Sequence, residues 1–202
     1  MVKQINIGVL SIQGAVSEHI RITKKALNDI NISGNVSAVK SLKDLDNING
    51  LIIPGGESTT ISKFLNKSNL SEKIINKAKN KELAVMGTCA GCIILAKKII
   101  DKKKDVKTLE LMDISVIRNA YGRQKQSFEK KISIKGFENE FNAVFIRAPL
   151  IKQASGNTEI YSRLDNDIIM VKQDNLIATT FHPELTNSTM VHKFFIEMIK
   201  GY

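Results

Sequence analysis

The sequence has few cysteines that could form disulfide bonds and no long apolar run that could anchor it in a membrane. Two cysteines in 202 residues, at positions 89 and 92, exclude a disulfide framework. No apolar run approaches the roughly 20 residues of a membrane-spanning helix. The opening segment MVKQINIGVLSIQG has only a short apolar stretch and no small-residue cleavage site, so it predicts a first strand and not a signal peptide. These absences favour a cytoplasmic protein.

Tryptophan is absent and aromatic residues make up 5% of the chain, although the formal net charge is +10. A strongly basic balance can indicate nucleic-acid binding. Residues 63–104, however, hold eleven Lys against three acidic residues, with no Arg and almost no aromatic residues between them. Base stacking and bidentate base readout use aromatic residues and Arg. A solvated Lys-rich face that could dock on an acidic partner is therefore favoured over a nucleic-acid site.

The sequence does have a cysteine at the apex of a predicted turn. The apolar run LAVM at residues 83–86 is typical of a strand buried on both faces, and Gly87 and Gly91 flank Cys89. A helix is predicted from Ala90 to Ile100. This strand–turn–helix is the thiol form of a nucleophile elbow. Glycine permits the tight turn, and the helix N-terminus favours an anionic sulfur and offers N–H groups to an oxyanion.

The same letters allow other interpretations. A buried cysteine at a helix start is commonly inert. Cys89 and Cys92 also form a CxxC pair, which can be a redox dithiol in an intracellular protein. On the elbow interpretation, Cys92 is a small apolar residue on the inner face of the helix. The elbow residues alone do not decide between these hypotheses.

The order of predicted elements indicates an α/β protein with one domain, residues 1–202. Strands alternate with helices through the first half, which indicates a mostly parallel sheet covered by helices on both faces. Those strands are predicted at 5–12, 36–39, 51–53 and 83–86, and the helices at 15–29, 41–46, 59–65, 70–80 and 90–100. After a hydrophilic loop at 101–105, closely spaced strands indicate antiparallel pairing or a mixed sheet edge. These are predicted at 114–117, 128–134, 143–146, 168–172 and 176–181, before a last helix at 190–199.

A thiol nucleophile needs a base, and the chain has three histidines. His19 and His192 fall on predicted helices, where a surface position or a satisfied core position is expected. His182 follows the strand 176–181, and open α/β sheets build their sites at such strand ends. Glu184, two residues on, could accept a hydrogen bond from the imidazole and fix its tautomer. Alone, this segment also fits a polar turn before the last helix.

A glycine pair ends the predicted strand at 51–53, in the motif PGGEST. The N–H groups of Gly55 and Gly56 could complete an oxyanion hole with that of Ala90. The alternative is a plain loop in which Ser58 or Thr59 caps the next helix. Because all three segments fall at strand ends, the pattern favours a nucleophile in one shared crevice.

The motifs GTCAG, PGGEST and FHPE resemble those of class I (triad-type) glutamine amidotransferases, which have a flavodoxin-like three-layer fold. Within that family, the chain is similar to the glutaminase subunits of pyridoxal 5′-phosphate synthases. The matching blocks span nearly the whole chain: Gly8–His19, Pro54–Thr60, Gly87–Gly91, Arg118–Gln124, Phe145–Pro149 and Phe181–Thr186.

This resemblance implies that L-glutamine is hydrolysed to L-glutamate and that the ammonia passes to a pyridoxal 5′-phosphate synthase subunit in a hetero-oligomer. It assigns Cys89 as the nucleophile that forms a thioester, His182 as the proton carrier and Glu184 as the residue that orients it. It assigns the oxyanion hole to the N–H groups of Gly56 and Ala90. It implies no metal or cofactor for this chain, and no nucleic-acid or membrane partner.

The remaining matched residues have binding roles in the family. Glutamine binding is implied for Gly56, Glu57, Ser58, Arg118, Ile146 and Arg147. Gln13 and His19 match a loop and a helix near the oxyanion region, which implies a role at the partner interface or in activation. One departure is Cys92, which stands where leucine is common in the family.

Three alternatives stay open at this point. The ammonia could serve a different acceptor subunit, since a triad does not name its acceptor. A CxxC oxidoreductase would account for Cys89 and Cys92 but would leave PGGEST and HPE without a role. A basic binding module without catalysis would predict salt-sensitive binding to nucleic acid. Within the glutaminase hypothesis, the isolated chain is expected to be weakly active, because the Gly55–Gly56 peptide can hold more than one orientation.

Overall fold

The computed structural model describes residues 4–101, 106–118, 120 and 127–201. Its strands are β1 (Ile5–Leu10), β2 (Gly34–Val39), β3 (Gly50–Ile53), β4 (Ala84–Thr88), β5 (Ala96–Ile99), β6 (Met112–Ile117), β7 (Ser127–Ile132), β8 (Phe141–Ile146), β9 (Leu150–Ala154), β10 (Glu159–Leu164), β11 (Asp167–Gln173) and β12 (Leu176–Thr179). Its helices are α1 (Val16–Asp29), α2 (Ser58–Lys67), α3 (Leu70–Lys79), α4 (Ala90–Leu95) and α5 (Met190–Lys200), with 3₁₀ turns at Lys43–Leu45 and Pro183–Leu185. Most of the predicted hydrophilic loop 101–105, together with Asn119 and Tyr121–Gln124 of the Arg118–Gln124 block, lies outside the described residues.

One large sheet organises the chain, with strand order β2-β1-β3-β4-β12-β11-β9-β6-β5 and β10 paired to β11. The first five strands are parallel to one another. Their order has the flavodoxin-like 2-1-3-4-5 pattern, in which sites form beyond the carboxyl ends of the strands. The predicted mostly parallel α/β sheet is confirmed.

The parallel strands are apolar because both of their faces are covered. In β3, Leu51 and Ile53 face one core and Ile52 faces the other. The first core packs against α2, α3 and α4, and the second packs against α1 and α5. Strands buried on both faces read as continuous hydrophobic runs, which is why β3 and β4 could be predicted.

The C-terminal half supplies the antiparallel strands that the close spacing predicted. Strand β11 pairs antiparallel with β12, β9 and β10, and β9 pairs antiparallel with β6. Strands β7 and β8 form a separate two-stranded antiparallel ribbon. The Phe residues of β8 pack in the same core as α1 and α5, so this ribbon helps to cover that face of the sheet.

The predicted helix from Ala90 to Ile100 is wrong beyond Leu95. At Ala96 the backbone turns to φ −64° and ψ 147°, and Ala96–Ile99 forms the edge strand β5, parallel to β6. Lys97 and Lys98 stay exposed there. The apolar spacing of this segment fits a helix and a strand equally, so pairing with a distant strand decided the outcome. The polar, half-exposed strands β9 and β10 were not predicted either.

Candidate active site

Cys89 occupies the turn between β4 and α4, as the elbow hypothesis predicts. Its backbone has φ +50° and ψ −103°, a conformation that non-glycine residues rarely adopt outside constrained functional turns. A Cβ on Gly87 would lie 2.5 Å from the carbonyl oxygen of Gly91, and a Cβ on Gly91 would lie 2.1 Å from that of Ile53. Both flanking glycines are therefore required by close backbone approach. The Cys89 side chain is 7% exposed.

His182, the predicted base, follows β12, the strand next to β4. Strand β12 runs parallel to β4 with Thr179 opposite Thr88, and the Cys89 N–H donates to the Thr179 carbonyl at 2.9 Å. His182 follows β12, and its own N–H donates to the carbonyl of Val144 on β8 at 2.8 Å. Backbone hydrogen bonds therefore attach Cys89 to the end of β12 and His182 to β8.

The imidazole of His182 joins the thiol to a carboxylate. Its Nδ1 lies 2.7 Å from Oε1 of Glu184, which leaves Nε2 for the sulfur of Cys89. Burial lowers the pKa of His182, but hydrogen bonds to Cys89 and Glu184 outweigh it and raise the pKa to about 10. The positively charged imidazole is thus favoured next to the sulfur.

Glu184 is fully buried in the 3₁₀ turn Pro183–Leu185. Burial raises the pKa of its carboxyl, but electrostatic interaction with the imidazoles of His19 and His182 and the hydrogen bond to His182 lower it overall. Its second oxygen, Oε2, lies 3.3 Å from Nε2 of His19. The carboxylate is therefore ionised and touches an imidazole on each side.

The glycine loop after β3 packs directly against these side chains. A Cβ on Gly55 would lie 2.4 Å from Cε1 of His182 and 3.3 Å from Cβ of Cys89. Gly56 follows with φ +142° and is exposed. A Cβ on Gly14 would lie 1.9 Å from the Gly55 carbonyl oxygen, so the loop that contains Gln13 holds this peptide in place. Gln13 itself is exposed, as a partner contact requires.

The residues assigned to glutamine binding lie at several strand ends. Glu57 is exposed and precedes α2, whereas Ser58 is its first residue and is buried. Ile146 ends β8; it is 38% exposed, and its carbonyl oxygen lies 3.7 Å from Sγ of Cys89. Arg147 follows with φ +44° and an exposed side chain. Of these residues, Ile146 contacts the sulfur of Cys89 directly, and Arg147 is the next residue along the chain.

Arg118 follows β6, near the segment that leads from Arg147 into β9. Ile117 pairs with Leu150, and the Ala120 N–H donates to the carbonyl of Ala148. The Arg118 N–H donates to Oδ1 of Asp101 at 3.0 Å, and its Nε lies 3.7 Å from Oδ2. Asp101 therefore holds Arg118 at this end of the sheet.

Cys92 lies one helical turn beyond Cys89 and is fully buried, and both cysteines are free thiols. Burial raises the pKa of Cys92, with a smaller contribution from Cys89. A redox dithiol needs an accessible, readily ionised thiol. The burial of Cys92 therefore argues against the dithiol hypothesis and matches a small apolar residue on the inner face of α4.

His19 lies inside the protein, so it makes no direct partner contact from this position. Its apolar neighbours at helical spacing, Ile22 and Ala26, are buried on the same stripe of α1. His192 was likewise expected on the surface or in the core and is fully buried, on the stripe of α5 that contains Phe195 and Ile196. The helical spacing of these stripes is the signal that could have identified both histidines as buried.

The described residues contain neither a candidate metal cluster nor a candidate membrane span. In that part of the chain, no group of three or more His, Cys, Asp or Glu could hold a metal ion. None of the helices formed by those residues is both long enough and apolar enough to cross a membrane.

Comparison with known proteins agrees with this geometry. Residues 9–201 match the SNO glutamine amidotransferase family. A relative from Sulfolobus acidocaldarius, named pyridoxal 5′-phosphate synthase subunit PdxT, is 45% identical over 201 residues, which cover 97% of this chain and 100% of the relative. A protein of the same name from Methanosphaera stadtmanae is 46% identical over 193 residues, which cover 95% of each chain.

Solved structures agree as well. A crystal structure of a glutamine amidotransferase, 36% identical, superimposes with a TM-score of 0.86 over 96% of this chain and 98% of that chain. A glutamine amidotransferase from Thermotoga maritima is 14% identical, with a TM-score of 0.62 over 98% of this chain and 84% of that one, and shows the shared fold. From its sequence and its fold together, the chain belongs to the SNO glutamine amidotransferase family.

Proposed function

We propose that this protein hydrolyses L-glutamine to L-glutamate and ammonia, and that the ammonia passes to a pyridoxal 5′-phosphate synthase subunit. The observation that carries the proposal is the imidazole of His182, which interacts electrostatically with Cys89 and whose Nδ1 lies 2.7 Å from the carboxylate of Glu184. Nucleophile, base and orienting acid in this order form a triad. The names of the PdxT relatives support the ammonia acceptor.

The first half-reaction forms a thioester. Nε2 of His182 already holds the thiol proton, and Sγ of Cys89 attacks the side-chain amide carbon of glutamine. The carbonyl oxygen becomes an oxyanion, which the N–H groups of Gly56 and Ala90 stabilise. The intermediate then collapses: the C–N bond breaks, His182 donates its proton to the departing nitrogen, and ammonia leaves.

The second half-reaction hydrolyses the thioester. A water molecule attacks the thioester carbon, and Nε2 of His182 accepts one of its protons. The C–S bond breaks, glutamate is released, and the thiolate of Cys89 is restored beside the protonated imidazole of His182. The hydrogen bond from Nδ1 of His182 to Glu184 keeps Nε2 directed at the sulfur in both steps.

The substrate's charged ends account for the remaining assigned residues. The α-carboxylate of glutamine is a partner for the guanidinium groups of Arg118 and Arg147, and its α-ammonium is a partner for Glu57. Gly56, Ser58 and Ile146 complete the set assigned to substrate binding. Ile146 is already in contact with the site, since its carbonyl oxygen lies 3.7 Å from Sγ of Cys89.

We infer further that residues 1–202 act as a single glutamine amidotransferase domain in the cytoplasm, in a hetero-oligomer with the synthase subunit. The family match over residues 9–201 and a sheet that takes strands from both halves of the chain support a single domain. The exposed position of Gln13 beside the oxyanion loop supports a partner role for that residue.

The test is glutamate release from glutamine by the purified chain, alone and with a pyridoxal 5′-phosphate synthase subunit, with Cys89→Ala as the control. We expect weak release alone, higher release with the subunit, and none from the variant. A chain that is fully active alone would contradict activation by the partner. No release in either condition would contradict the proposed reaction, and release from Cys89→Ala would contradict the nucleophile.

A further inference from the structure

All three histidines of the chain are connected to Glu184, His182 and His19 by direct contact and His192 through His19, although they come from three distant parts of the sequence. Oε1 of Glu184 lies 2.7 Å from Nδ1 of His182, and Oε2 of Glu184 lies 3.3 Å from Nε2 of His19. His19 in turn contacts His192, with 3.2 Å between Nδ1 and Nε2. His19, His192 and Glu184 are each 0% exposed. The proposed mechanism uses only His182, so two buried imidazoles remain without a role.

The proton positions in this cluster follow from its contacts. Burial lowers the pKa of His19 and of His192, so each imidazole is neutral and carries one proton. If the proton of His19 were on Nδ1, the lone pair of its Nε2 would face the negative Oε2 of Glu184. In a buried site with little screening, that arrangement is unfavourable. The proton of His19 therefore belongs on Nε2.

This tautomer satisfies the neighbouring groups. The Nε2–H of His19 donates to Oγ1 of Thr88, 3.2 Å away at the end of β4, and also lies 3.3 Å from Oε2 of Glu184, which has no hydrogen-bond partner among the described residues. Nδ1 of His19 then accepts from the Nε2–H of His192. Nδ1 of His192 is then unprotonated, so no N–H donor is left without an acceptor, and it has no hydrogen-bond partner among the described residues.

We propose that His19 is a positioning residue of the triad: through its Nε2–H it holds Oε2 of Glu184, while His192 fixes it in that tautomer. The contact to Thr88 ties the same imidazole to the residue before the nucleophile. His19 thus links the strand that carries Cys89 to the carboxylate that orients His182. This role rests on the proposed glutaminase function, because it acts through Glu184.

The first test reads the tautomers directly and needs no catalysis. When the full chain is labelled with ¹⁵N-histidine, its NMR spectrum contains imidazole signals from three residues only. The signals that disappear in the variants His19→Gln and His192→Gln identify those two histidines. We expect His19 and His192 to be neutral Nε2–H tautomers at neutral pH and His182 to be protonated on both nitrogens. A proton on Nδ1 of His19, or a charged His19, would overturn the proposal even if the glutaminase reaction is confirmed.

The second test uses two amides that mimic different nitrogens of His19. In His19→Gln the amide N–H₂ reaches the position of Nε2, whereas in His19→Asn it reaches only that of Nδ1. We expect His19→Gln to keep kcat within about threefold and His19→Asn to lower kcat by roughly tenfold or more, the loss of one hydrogen bond to a charged group. The KM for glutamine should stay unchanged in both, since His19 does not touch the substrate.

The outcomes of this pair are distinct. Equal losses of kcat in both variants would indicate a merely structural role for His19, and rescue by Asn but not Gln would indicate that Nδ1 is the functional atom. Either result overturns the proposal. Absence of glutamate release from the unmodified protein with its synthase subunit would instead contradict the proposed function and leave the tautomer result standing.

Discussion

Gly55 leaves no space for a side chain against His182, because a Cβ at residue 55 would lie 2.4 Å from Cε1 of the imidazole. The Gly55→Ala substitution should therefore displace His182 from Cys89 and lower kcat by about 100-fold, since misplacement of about 1 Å can cost this much. Gly201→Ala is the matched control: the nearest atom to a Cβ there is 3.6 Å away. Steady-state glutamate release by both folded variants checks this, and an active Gly55→Ala protein would contradict the close packing.

The two cysteines should respond differently to replacement. Cys89→Ala removes the proposed nucleophile and should abolish glutamate release. Cys92→Ala removes only a buried sulfur on the inner face of α4, so it should keep kcat and lower the free energy of unfolding by about 1 kcal/mol. Glutaminase assays and urea unfolding of both variants check this. Loss of activity in both would revive the dithiol hypothesis.

Glu184 should make stability depend on pH through His182. Hydrogen bonds to Cys89 and Glu184 outweigh burial and raise the pKa of His182 from 6.5 to about 10. A group whose pKa is raised by folding stabilises the protein fully below pH 6.5, and this stabilisation is lost as the pH rises towards the folded-state pKa.

The measurement is made in Cys89→Ala protein, so that ionisation of that thiol does not contribute. Between about pH 6 and about pH 9, the free energy of unfolding should fall more in Cys89→Ala than in Cys89→Ala/Glu184→Gln, since only the former retains the carboxylate that raises the pKa of His182. Urea unfolding at both pH values checks this. Equal decreases in the two proteins would show that Glu184 does not raise the pKa of His182.

Asp101 should affect substrate binding and not the chemical step. It accepts a hydrogen bond from the Arg118 N–H at 3.0 Å and lies 3.7 Å from Nε of the same residue. Asp101→Ala should release the guanidinium and raise the KM for glutamine by roughly 3- to 10-fold, with kcat nearly unchanged. A kcat that falls while KM stays constant would place this pair in the chemical step instead.

The parts of the fold that could be predicted are those in which local sequence and burial agree. Strands β3 and β4 are short apolar runs bounded by Pro and Gly, and both are buried on both faces. Gly87 and Gly91 mark the elbow because backbone atoms approach them closely, a constraint that the sequence displays.

The parts that could not be predicted depend on distant partners. Strand β5 exists because Ala96–Ile99 pairs with β6, and nothing within the segment distinguishes it from a continuing helix. The cluster of His19, His192 and Glu184 is assembled from α1, α5 and the turn after β12. Helical spacing could have shown that both histidines are buried, but only the packing of those elements shows that His192 contacts His19 and that His19 contacts Glu184.

The pairing of Thr88 with Thr179 has a consequence for how the protein loses activity. Cys89 and His182 are attached to neighbouring parallel strands in the middle of the sheet, so their separation is set by the register of β4 and β12. A slip of two residues would displace one of them by about 6.6 Å. Loss of glutaminase activity on heating should therefore occur at the same temperature as unfolding of the centre of the sheet.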